Sequence, residues 1–193
     1  QPIGFTPLGP HTLLVTLAGL EKGAPGQANN LPNAVDSGAG DPNSPYAVWV
    51  RQQISTYLAA NGFPPNTQVI IAGHSYGGMV AQDLAEHPSN AQYTISQVIT
   101  FGSPQVAPQN SRVAYTEYTD AYDPVPLLSS YEVQQHGLLM GGLATFDPTA
   151  KEAFTGETYV PDAGQDPNPA HWFDDHGDYG NSHMLQSTPL RFD

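Results

Sequence analysis

One hexapeptide constrains this chain more than any other stretch: Gly73-His74-Ser75-Tyr76-Gly77-Gly78, set between an apolar run and a segment with helical patterning. A strand that turns directly into a helix has no room for a Cβ on either side of the turn, and glycines meet that steric demand. The residue at the apex then stands exposed at the strand end. It also sits at a helix N-terminus, whose partial positive charge favours developing negative charge. Ser75 is therefore the candidate nucleophile of a G-x-S-x-G elbow. The plainer alternative is a glycine-rich turn that happens to precede a helix.

The flanking sequence supplies the context this motif needs. Residues 67–73 (TQVIIAG) read as a buried strand, and residues 75–87 as a helix stopped by Pro88 with Val80 and Leu84 on one face. Upstream, residues 12–20 (TLLVTLAGL) are nearly continuously apolar, the pattern of a strand buried on both faces. A loop rich in Gly, Pro, Asn and Ala covers residues 21–43. A helix follows, with Ser44 as N-cap, Pro45 in the first turn and Asn61-Gly62 as the stop. Tyr46, Val50, Ile54, Tyr57 and Leu58 give it one core-facing side. Residues 96–104 predict a third strand and residues 112–120 a fourth. Strands alternating with helices give an α/β fold, a mostly parallel central sheet flanked by helices on both faces. Ligands gather at the C-terminal ends of such strands, so the residues just after each strand are the ones to weigh.

Composition narrows the partners. The chain has 193 residues, 39% of them hydrophobic, with 19 Gly and 19 Pro lying between patterned segments, which predicts a single domain over residues 1–193. Five Lys+Arg against 18 Asp+Glu give a net charge of −13. That excludes a nucleic-acid partner and disfavours an anionic membrane surface. No apolar run in the sequence is long enough for stable membrane insertion. Cysteine is absent, so disulfides, thiolate metal sites and a cysteine nucleophile are excluded. The start at Gln1, without Met or a signal peptide, together with the acidity, leads to the expectation of a processed, secreted protein.

A serine hydroxyl needs a base to take its proton, and the base needs an acid to orient it. After a G-x-S-x-G elbow the partners come in the order acid, then histidine. Asp123 lies just past the fourth predicted strand, in a turn fixed by Pro124 and Pro126. Asp120, three residues earlier, is its competitor.

The segments VITFGSPQVAP and YTDAYDPVPLL, following GHSYGG, resemble the fungal-type (class 3) lipases of the α/β-hydrolase superfamily. Those proteins carry a GHSxGG elbow, a TFGxPxxG strand end and a D-x-V-P turn, and the resemblance runs in order from Leu13 to about Leu128. It implies a reduced, short α/β-hydrolase with Ser75 as nucleophile and Asp123 as triad acid. It also implies an oxyanion hole made by the backbone N–H groups of Tyr76 and Leu20, since LAGL stands where the family has FRGS/T. Leu20 offers only its N–H there, without the hydroxyl of the family's Ser or Thr. The family's apolar helical lid has no counterpart in the polar segment 21–43, and residues 137–146 (GLLMGGLATF) are the alternative cover.

Seven histidines compete for the role of base. His11 precedes the first predicted strand, His74 lies inside the elbow with a packing role, and His87 sits at a helix C-terminus. His136 follows Asp123 closely, and His171 precedes Trp172-Phe173. His176 begins His176-Gly177-Asp178-Tyr179, which matches the H-x-x-Y of the lipase family, and is the candidate base. His183 is the alternative. Asp174, Asp175, Asp178 and the two histidines could be a metal cluster, but their spacing matches neither an EF-hand loop nor HExxH, so no metal is assigned. The expectation is a carboxylic ester hydrolase (lipase or esterase) acting through an acyl-enzyme on a small-molecule or lipid ester, with no cofactor. An acyltransferase or a cutinase-like polyester hydrolase would use the same triad, and an inactive hydrolase fold serving as a binding module is the alternative of another class.

Overall fold

The structure is a computed structural model, and it describes residues 3–20, 41–89, 92–106, 112–119, 125 and 158–159. Eight elements follow in chain order: β1 (Ile3–Gly9), β2 (Thr12–Leu17), α1 (Pro45–Ala60), β3 (Thr67–His74), α2 (Tyr76–Glu86), β4 (Tyr93–Phe101), β5 (Ala114–Thr119) and β6 (Thr158–Tyr159). They form one six-stranded sheet in the order β1-β2-β3-β4-β5-β6. β1 pairs antiparallel with β2, and every later neighbour is parallel. The four parallel ladders therefore deliver the C-terminal ends of β2, β3, β4, β5 and β6 to one edge of the sheet.

α1 starts where its sequence says it should. Ser44 Oγ accepts the Ala47 N–H at 3.3 Å, Pro45 occupies the first turn, and Asn61 ends the helix before Gly62 at φ 69°. Tyr46, Val50, Ile54 and Leu58 are buried as expected, while Tyr57 is half-buried and stacks on Phe5 of β1 with ring centroids 4.4 Å apart. These side chains join Leu13, Val15 and Leu17 of β2, Val69 and Ile71 of β3, and Val80 and Leu84 of α2 in one core cluster. On the opposite face of the sheet Ile70 and Ile99 are also nearly inaccessible. Both faces of the central strands are thus covered.

Three expectations change. The N-terminal β1 is absent from the sequence reading because Gly4 and Pro7 argue against a strand. An edge strand tolerates proline, whose missing N–H costs no ladder bond on the solvent side. Gly4 is needed there, since a Cβ would lie 2.5 Å from Thr16 Oγ1 of β2. His11 consequently lies exposed in the turn between β1 and β2 rather than ahead of the first strand. β2 stops at Leu17 instead of residue 20 and alternates buried Leu13, Val15 and Leu17 with an exposed Thr16, as befits a strand beside the edge. β4 runs Tyr93–Phe101 and ends three residues before the expected Pro104, because Gly102 at φ 56° turns the chain away.

α2 is also more enclosed than one apolar face would require. Every residue from Tyr76 to Ala85 is buried, including Gln82 and Asp83. Gln82 uses both ends of its amide on the chain leaving β4: Nε2 donates to the Pro104 carbonyl at 3.0 Å, and Oε1 accepts from the Val106 N–H at 3.2 Å. No helix among the described residues is long and apolar enough to cross a membrane.

Candidate active site

The site is built from the end of β3 outward. His74 is its last residue, Ser75 holds φ 52° and ψ −123°, and Tyr76 begins α2. A positive φ at a residue with a side chain costs about 1–3 kcal/mol and persists only where neighbours enforce it. Here the enforcement comes from three glycines. A Cβ on Gly73 would lie 2.5 Å from the backbone of Gly77 and Gly78, and one on Gly77 would lie 2.6 Å from the carbonyl oxygens of Leu17 and Ala18. A Cβ on Gly78 would fall 1.8 Å from Ser103 Oγ. The glycines thus let β3, the first turn of α2, the end of β2 and the loop after β4 converge on one point. Ser75 is half-buried at that point, and its hydroxyl does not cap α2.

Hydrogen bonds lock the turn. The Ser75 N–H donates to the Phe101 carbonyl at 2.9 Å, and the Ser75 carbonyl accepts from Gly78 N at 3.0 Å, Met79 N at 3.3 Å and Ser103 Oγ at 2.8 Å. Gly102 N–H donates to the Tyr118 carbonyl at 2.8 Å, fastening the same loop to β5. Ser103 was invisible to sequence reasoning because it occupies a variable position of the strand-end motif. The signal that could have found it is the second glycine, Gly78, whose missing side chain makes room for it.

The chain leaving β2 passes directly beside the elbow. A Cβ on Gly19 would lie 3.1 Å from Ser75 Cβ and 3.1 Å from His74 Nδ1. Tyr46 of α1 donates its hydroxyl to the Ala18 carbonyl at 3.3 Å, and its ring packs on Tyr76 at 5.1 Å. Leu20, next in line, is 36% exposed. The structure therefore brings Gly19 beside Ser75 at the C-terminal edge of the sheet, with Leu20 the next residue along the chain.

Position sorts the described histidines. His74, the last residue of β3, lies beside the elbow, where a Cβ on Gly19 would fall 3.1 Å from its Nδ1. His11 is at the opposite end of the six-residue β2, roughly 20 Å of strand away. His87 caps the far end of the 11-residue α2, about 16 Å along the axis, with Nδ1 3.2 Å from the Asp83 carbonyl. Asp120, Asp123, His136, His171, His176 and His183 lie outside the described residues, as do Asp174, Asp175, Asp178 and the cover segments 21–40 and 137–146.

One buried ionisable group lies away from this edge. Asp83, late in α2, is 1% exposed, and among the described residues neither carboxylate oxygen has a hydrogen-bond partner. Burial, reinforced by the Asp41 carboxylate and only partly opposed by the Arg51 guanidinium, pushes its pKa from the usual 3.8 up to about 8. Arg51 instead donates to the carbonyls of Pro42 at 2.6 Å and His87 at 3.3 Å.

No curated protein matches the chain in sequence. Among solved structures, it is similar to extracellular lipase LipA from Serratia marcescens at 16% identity and a TM-score of 0.42, covering 60% of this chain and 20% of that one. It is similar to the Lip2 lipase from Yarrowia lipolytica at 13% identity and a TM-score of 0.34, covering 62% of this chain and 52% of that one. The chain thus spans a fifth of the first protein's length and about half of the second's. Residues 46–125, from α1 past β5 and including the elbow, match the model of the PGAP1-like alpha/beta domain. A mostly parallel sheet, a strand–serine–helix elbow and that match together fit an α/β-hydrolase fold.

Proposed function

We propose that the protein is a carboxylic ester hydrolase of the lipase/esterase type, with Ser75 as its nucleophile. Ser75 Oγ attacks the ester carbonyl while His176 takes its proton, and Asp123 holds the imidazole's tautomer and stabilises the imidazolium. The backbone N–H groups of Tyr76 and Leu20 bind the oxyanion of the tetrahedral intermediate. His176 returns the proton to the leaving alcohol, and water then hydrolyses the acyl-enzyme. No cofactor enters these steps.

The observation that carries this reading is the backbone of Ser75. A non-glycine residue forced to φ 52° by three neighbouring glycines, at a helix N-terminus on the ligand-binding edge of a parallel sheet, has no structural need to be serine. Strand direction supports the other two corners. β5 and β6 run parallel to β3, so the chain heads for the Ser75 edge shortly before Asp123 and again upstream of His176. Small-molecule or lipid esters are the substrate class, and secretion accompanies the reading.

The test is turnover of p-nitrophenyl esters of increasing acyl length by wild type, Ser75→Ala, His176→Ala and His183→Ala. Loss of Ser75 or His176 should lower kcat by roughly 10⁴–10⁶. Wild-type turnover in Ser75→Ala would refute the mechanism. Full activity in His176→Ala with loss in His183→Ala would move the base to His183.

A further inference from the structure

A peptide unit is planar, so the Ser75 carbonyl and the Tyr76 N–H are two ends of one rigid plate, pointing in opposite directions. Whatever grips the carbonyl oxygen aims the N–H. Two of the groups that grip it, Gly78 N and Met79 N, belong to the helix itself, and any helix start would provide such donors. The third and shortest bond, 2.8 Å from Ser103 Oγ, comes from the loop after β4.

We propose that Ser103 is a positioning residue for the oxyanion hole: its hydroxyl fixes the tilt of the Ser75–Tyr76 peptide and polarises it, strengthening Tyr76 N–H as a donor. The inference rests on the Ser75 and Tyr76 roles proposed above and adds a residue that the motif leaves variable. Hydrogen bonds in series reinforce one another in a low-dielectric setting, and Ser103 is 1% exposed. Its own freedom is small. Gly102 is tied to Tyr118 on one side, and Gln82 holds Pro104 and Val106 on the other. The absence of a side chain at Gly78 leaves the space that Ser103 fills. Phe101, the last residue of β4 and two before Ser103, accepts the Ser75 N–H through its carbonyl, so one segment grips the strained residue at both its amide and its carbonyl.

A donor aimed at an oxyanion acts in the transition state, so its weakening lowers kcat and leaves KM alone. Removing a whole oxyanion donor costs about 10²–10³, so misaiming and depolarising one should cost roughly tenfold. The experiment compares full-length wild type, Ser103→Ala, Ser103→Thr and Ser103→Val on one p-nitrophenyl ester. Rates are normalised to active sites titrated with a fluorophosphonate, and an arylboronic acid serves as tetrahedral mimic. Ser103→Ala should lose about tenfold in kcat per titrated site, with KM within about twofold and boronate affinity reduced in parallel. Threonine, which keeps the hydroxyl, should retain rate, whereas its isostere valine should not. This pair decides the matter even if the alanine variant does not fold. Wild-type kcat per site in Ser103→Ala, or equal rates for Thr and Val, would overturn the proposal while inactive Ser75→Ala leaves the ester-hydrolase reading standing. Wild-type turnover in Ser75→Ala would overturn both.

Discussion

Asp83→Asn isolates a group that works against folding. The carboxyl is buried without a hydrogen-bond partner among the described residues, so the folded chain keeps its proton up to about pH 8, whereas the unfolded chain releases it near the usual 3.8. Between those values the folded state holds one more proton than the unfolded state. Stability therefore falls as pH rises, by about 1.4 kcal/mol per unit, and levels off above about pH 8. The whole window is worth no more than about 6 kcal/mol, and relaxation around the charge would lower that figure. Asparagine matches the carboxyl in shape and does not titrate. The difference in unfolding free energy between variant and wild type should therefore grow in the variant's favour by about 1.4 kcal/mol per unit from pH 5 to pH 8. Ionisable groups that do not couple to Asp83 cancel in that difference. Urea unfolding at each pH measures it directly, and thermal unfolding should show about 2–4 °C per kcal/mol for a chain of this size. Parallel stability curves for the two proteins would refute the reasoning, because they would mean that Asp83 ionises alike in both states.

Gly77→Ala should destabilise by about 2–4 kcal/mol, because its Cβ meets the immovable carbonyls of Leu17 and Ala18 rather than a side chain. Thermal unfolding reads the loss, and a change below about 0.5 kcal/mol would contradict the packing described. Replacing Gln82 with leucine should cost about 2 kcal/mol in urea unfolding and speed amide exchange at Val106, whose N–H donates to the Gln82 side chain. Ser44→Ala removes the cap of α1 and should cost about 1 kcal/mol, while Ser44→Asp should recover much of it.

The legible parts of the fold were those set by local chemistry. Ser44, Pro45 and Gly62 bracket α1 within a residue, and the glycines of the elbow announce the turn because no other residue fits there. What stayed hidden depends on neighbours distant in sequence. β1 contains Pro7 and Gly4 and becomes a strand only because β2 offers it an edge, and β6 is two residues long, too short to show a period. Ser103 looks like any serine in a loop until Gly78 is seen to make room for it. That Asp83 is buried was not legible either, since helical spacing marks one apolar face of α2 and not that residues 76–85 are buried on every side. Of the candidate site, the strained elbow at Ser75 and its glycine frame were readable from six residues. The base was not, since no local signal separates His176 from His183 beyond a four-residue resemblance.

The strand order has a consequence for how the chain comes into being. Each strand from β2 onward pairs with the one just before it in sequence, so the sheet extends in one direction as the chain lengthens. An emerging polypeptide can add strands one at a time, without waiting for a late segment to insert between early ones. The elbow's clamp draws on residues no later than Tyr118, all upstream of Asp123 and His176. A growing chain can thus hold Ser75 in its strained shape before the proposed base, His176, is made. The proposed nucleophile is shaped first and armed last.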